Sequence, residues 1–64
     1  MTVADARNEI KDIKETCRNI LAIRDSSATK LSTPEMDYMS SAVVFLRQYV
    51  NVIEAAIEKA EVNI

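Results

Sequence analysis

The sequence predicts an all-α fold. The expected unit is a two-helix antiparallel hairpin that assembles into a homo-oligomeric helical bundle, with a dimeric four-helix bundle as the expected form. Three observations carry this. Glycine is absent and proline occurs once, which suits long uninterrupted helices. Apolar residues repeat at alternating steps of three and four along two separate stretches. Between those stretches lies one segment rich in Ser, Thr and Asp. Residues 1–64 are therefore read as a single helical-hairpin domain.

The first helix is expected over about residues 3–24. Thr2 is its N-cap, and Asp5 stands in the first turn, where a negative charge meets the positive end of the helix dipole. Its seam is Val3, Ala6, Ile10, Ile13, Cys17 and Ile20, and it ends at Arg24, with Leu21 and Ile23 widening the apolar face. The flanks of the seam are sorted by charge. Arg7, Lys11, Lys14 and Arg18 form a basic stripe on one side, and Asp5, Glu9 and Asp12 an acidic stripe on the other. The basic side is placed to meet Glu54 and Glu61 of the second helix, within a hairpin or across a dimer. Exposed pairs of this kind contribute about 0–1 kcal/mol each, so they select register more than they stabilise.

Asp25 to Ser32 reads as the linker. Its Ser, Thr and Asp side chains compete for backbone hydrogen bonds and favour turns. A link this short favours antiparallel neighbours. Leu31 is expected to tuck beneath it.

The second helix is expected over about residues 34–62. Ser32-Thr33-Pro34-Glu35 marks its start, with Thr33 preferred as N-cap because Pro34 then takes the first helical position. Ser32 is the alternative cap, in a box with Glu35. One seam runs Met36, Met39, Val43, Leu46, Val50, Ile53, Ile57, Ala60, Ile64, and a second runs beside it through Tyr38, Ala42, Phe45, Tyr49, Val52 and Ala56. Four of seven heptad columns are thus largely apolar, roughly twice the arc of about 100° that a surface helix buries. One neighbouring helix does not cover such a face. The second helix is also the longer, so its end, from Ala56 to Ile64, is expected to lack cover within the chain. Leu46, Tyr49, Val50, Ile53, Ala56, Ile57, Ala60 and Ile64 are therefore the candidate self-association residues. The expected assembly is an antiparallel homodimer with the second helix central.

Length reinforces that expectation. A 64-residue chain buries only about 60% of its unfolded surface and is marginal alone. Small domains compensate with disulfides, a metal or oligomerisation. Cys17 is the only cysteine and histidine is absent, so neither an intrachain disulfide nor a zinc site is expected, and Cys17 reads as a core residue. No cofactor is expected.

Composition narrows the function classes without naming one. With no histidine, no Gly-rich phosphate loop and no nucleophile beside a base, the chain is not expected to be an enzyme. A formal charge of −2 gives no strong field for nucleic acid or membranes, and no apolar run is long enough to span a bilayer. The N-terminus does not read as a secretory signal, and a lone thiol suits a reducing compartment, so a cytoplasmic location is expected. Tyr38, Met39, Ala42 and Phe45, near the linker, are the candidate residues for binding a protein partner. The expected function is that of a small interaction protein that binds or occludes another macromolecule, such as a phage or mobile-element accessory protein.

Two alternatives stand beside it. One is an RNA- or DNA-binding regulator using Arg7, Lys11, Lys14 and Arg18. The other is a protein that sequesters a small ligand in pockets between subunits. A dimer of two-helix hairpins resembles in architecture the plasmid-encoded Rop family, which binds paired RNA loops on one bundle face. No motif is shared, so the resemblance assigns no residues.

Overall fold

The computed structural model describes residues 1–62, with side chains through Glu61, and contains two helices packed against each other. Helix α1 spans Val3–Asp25 and α2 spans Thr33–Val62. Ile64, expected at the end of the α2 seam, lies outside the described residues.

Each helix begins with a reciprocal cap. The Asp5 N–H donates to Thr2 Oγ1 at 3.1 Å, and the Thr2 N–H donates to Asp5 Oδ2 at 3.0 Å. At α2 the Glu35 N–H donates to Ser32 Oγ at 3.3 Å, and the Ser32 N–H to Glu35 Oε1 at 2.9 Å. Ser32, and not Thr33, is therefore the cap. The reason is local. The first four N–H groups of a helix have no intrahelical acceptor, so Pro34 forfeits no bond at the second helical position either. The box formed from Ser32 satisfies two donors at once.

These bonds also hold the Asp5 and Glu35 carboxyls below their usual range, chiefly through the backbone N–H groups of Thr2 and Ser32. Asp25 is likewise lowered, by the Arg24 guanidinium hydrogen-bonded to it. A carboxyl with a lowered folded-state pKa stabilises the fold above its unfolded value, near 4, and loses that contribution as pH falls through the folded value. The melting temperature should hold steady above about pH 5 and fall below about pH 4. Replacing Asp5 by Asn and Glu35 by Gln together should lower it by roughly 5 °C per cap above about pH 5 and flatten the acid dependence. Thermal melts across pH check both, and an unchanged acid limb in the double variant would contradict the assignment.

The end of α1 is closed by the linker. The Ser26 N–H donates to the Ile23 carbonyl at 3.2 Å, and the Thr29 hydroxyl reaches the carbonyls of Ile23 and Ser26 at 2.9 and 2.8 Å. With no glycine available, the left-handed turn falls to Lys30, at φ 49°.

The core is the meeting of the two seams. Ile10, Ile13 and Cys17 of α1 are buried against Val43 and Val50 of α2, with Ile20, Leu21, Leu46, Ile53 and Ile57 packed around them. Arg7 pairs with Glu61, and Lys14 Nζ lies 3.4 Å from Glu54 Oε1. Seven residues toward the linker on α1 thus match seven toward it on α2, which fixes an antiparallel register.

That register corrects the expected overhang. At the open end of the hairpin α1 reaches the last described turns of α2, and Ile57 packs within the chain. At the linker end Asp25 falls near the level of Val43, so Thr33 to Ala42, about 15 Å of helix, project past α1. The linker continues outward along this projection to reach Thr33. There Leu31, half-buried, lines a shallow hollow with Pro34, Glu35, Tyr38 and Met39. Arg24, where the α1 seam ends, bridges the corner. Its Nη1 donates to Ser40 Oγ at 2.8 Å, while Nε donates to Asp25 Oδ1 at 2.9 Å.

Candidate interaction surfaces

The hairpin presents two unlike sides, and the charge sorting of α1 decides which is which. The basic flank of α1 turns toward the Glu54–Glu61 flank of α2, making a polar side held by the two ion pairs. On it, Lys14, Arg18, Arg47, Asn51 and Glu54 border a groove of about 400 Å³ floored by Cys17 and Val50. Half of the stripe considered for phosphate contact, Arg7 and Lys14, is engaged by glutamates; Lys11 and Arg18 are exposed. Arg47 was not among the candidates from sequence. Its signal is its spacing with Asn51, Glu54, Glu58 and Glu61, which puts all five on one flank of α2.

The opposite side carries an apolar strip on α2 beside the acidic stripe of α1. Tyr38 is 77% exposed, Phe45 69%, Tyr49 51% and Val52 69%, and with Ala42 between the first two they follow steps of three and four in one strip along α2. Ala56 and Ala60 continue it, both exposed. Ile23 and Val3 add exposed apolar surface on α1. At the open end the strip sinks into a depression of about 360 Å³, lined by Val3, Ala6, Val52, Ile53, Ala56 and Ala60 among others.

The candidate residues divide accordingly. Leu46, Val50, Ile53 and Ile57, expected between subunits, pack against α1 inside the hairpin, because they belong to the seam that α1 covers. Tyr49, Ala56 and Ala60 stand on the open side. Tyr38 and Phe45 stand there too, with Met39 and Ala42 half-buried at their base. The self-association and partner-binding candidates that are exposed thus form one continuous surface. Ile57→Asp would damage the hairpin itself, so Val52 and Phe45 are the positions that probe assembly alone.

Taking about 200 Å² for a fully exposed aromatic side chain, Tyr38, Phe45 and Tyr49 together leave roughly 400 Å² of ring surface in solvent. Val52 extends this patch along α2 to the upper part of the 300–600 Å² or so typical of the largest patch on a monomer. The chain as a whole exposes 5009 Å², against about 4,100 Å² for a compact monomer of its mass. Among the described residues, no helix is long and apolar enough to cross a membrane. Compared with known proteins, the chain matches no family model, and no curated protein or solved structure shows a significant similarity to it.

Proposed function

We propose that this chain is a small non-enzymatic interaction protein that self-associates as a dimer through the apolar side of α2 and, in that form, binds or occludes another macromolecule. The observation that supports the reading is the continuous strip Tyr38–Ala42–Phe45–Tyr49–Val52–Ala56, left uncovered by α1 while the polar side is knit by ion pairs. Burying a strip of this kind is the dominant favourable term in association. The buried Cys17 thiol suits a reducing compartment such as the cytosol. Dimerisation by the apolar side leaves the polar side, with Arg18, Arg47 and Asn51, facing outward for a partner.

Light scattering over a dilution series tests the first half of the proposal. The expected mass is twice the 7.2 kDa of one chain, falling only at the lowest concentrations. A chain that is monomeric throughout would overturn it.

A further inference from the structure

We infer that the groove between Arg18 and Arg47 on the polar side takes an acidic segment of a protein partner, whose carboxylates the two guanidinium groups hold. The inference rests on the second half of the reading above, that the polar side meets a partner, and names that partner's chemistry. It does not depend on the dimer.

The ladder of ion pairs reverses at this groove. Arg7 meets Glu61 and Lys14 meets Glu54, so a step of seven along one helix is matched by seven along the other. The next step of seven on α2, from Glu54, reaches Arg47. The flank that supplies an acid to two bases of α1 here supplies a base, and it does so across the groove from Arg18. Among the described residues neither arginine is in an ion pair. Glu15, one turn before Arg18, makes none with it, and no acid stands within one turn of Arg47 on α2. The groove is lined by three cations, Lys14, Arg18 and Arg47, and one acid, Glu54, a net charge of +2 on a chain whose net charge is −2. Like charges drawn together repel. A fold breaks its own pairing pattern in this way chiefly where a site is built.

The charges select the occupant. A guanidinium presents a planar fork of donors that matches a carboxylate or a phosphate. What lies further along the polar side separates the two. Beyond the Lys14–Glu54 pair, the open half of this side holds Arg7, Glu58 and Glu61 where the linker half holds Arg18 and Arg47. The sign therefore changes within about 16 Å of helix, from Arg47 to Glu58. A nucleic-acid backbone is negative throughout, so it gains over the arginines and is repelled over the glutamates. A polypeptide carries charge residue by residue, and a segment that is acidic over one half and neutral or basic over the other fits the whole side. The rim adds the Asn51 amide as a further donor to a carboxylate, and the apolar floor of Cys17 and Val50 suits the methylene stem of a Glu side chain.

A titration of the isotope-labelled chain with triglutamate at low salt, followed by NMR, tests this. The extended peptide is about 10 Å long, as is the helical stretch from Arg47 to Glu54, so it covers the linker half without reaching Glu58. The amide signals of Arg18, Arg47 and Asn51 should shift, and trilysine should leave them in place. Arg18→Gln and Arg47→Gln should each weaken binding about fivefold, and together by more than about tenfold. Lys59→Gln is the same change of charge at an exposed position in line with Val52 and Ala56, and it should have no effect. Arg47→Glu places an acid opposite Arg18, so it should abolish binding while keeping or raising the melting temperature, which separates loss of the site from loss of the fold. Equal weakening by Lys59→Gln would overturn the groove as the site. A thymidine trinucleotide that shifts the same signals at lower concentration than triglutamate would overturn the acidic segment and leave a macromolecular partner standing. No shift with either probe would overturn the inference together with the polar side as a partner surface, and would leave the dimer to its own test.

Discussion

Val43→Asp should unfold the chain. Val43 is 2% exposed and is the most deeply buried side chain of α2. Among the described residues, the buried members of its core are Ile10, Ile13, Cys17 and Val50 besides itself. The Arg24 guanidinium reaches Ser40, one turn from Val43, but it is already held by Ser40 and Asp25, so a carboxylate at position 43 gains that partner only by breaking those bonds. Burying an unpaired charge costs several kcal/mol after relaxation. At about 0.05–0.15 kcal/mol per residue, a domain of this length has roughly 3–10 kcal/mol in total. Far-UV circular dichroism at micromolar concentration should show most of the helical signal lost. A melting temperature within about 5 °C of wild type would mean that the two seams do not hold the hairpin.

Val52→Asp should do the opposite: separate the copies and spare the hairpin. Val52 is 69% exposed in the single chain, so its carboxylate stays in water until a second copy covers it. In the dimer it would lie between two apolar strips, and twice over by symmetry. A penalty of even about 1.4 kcal/mol per site gives a hundredfold weaker association for two sites. The expected mass at low micromolar concentration is that of one chain, 7.2 kDa, with helical signal retained in proportion to the hairpin's own stability. An unchanged dimer would place the interface elsewhere. The contrast with Val43 is the informative part. The two valines lie nine residues apart on one helix and have similar propensities, and only the side they face separates their fates.

Much of the hairpin is legible in the sequence because it depends on local rules. The cap at Thr2, the span of each helix and the facing seams follow from spacing and residue type alone. Charge sorting also sets the basic side of α1 toward Glu54 and Glu61, without saying which base meets which glutamate or whether they belong to one chain. What misled was the arithmetic of unequal lengths. A longer α2 implies an overhang but not its end. The end is set by the register, which rests on contacts between residues as far apart as Arg7 and Glu61 and on the path of the linker. Because the overhang falls at Thr33–Ala42, Ile53 and Ile57 are covered by α1, and the candidate interface shifts onto the aromatic strip. Arg24 was legible only as the place where a seam stops. Its bond to Ser40 requires knowing that α2 passes beside it.

The register also orders the formation of the molecule in time. Arg24 and Ser40 are separated by 16 residues of chain, and Arg7 and Glu61 by 54. Closing a longer loop costs more entropy, so contacts next to the linker form first and the hairpin zips toward its open end. The hollow lined by Ala6, Ala56 and Ala60 lies at that open end. It is therefore the last part of the chain to take shape and the first to fray. A second copy covering the apolar side would secure this segment too, and folding would then be a reaction whose completion depends on concentration.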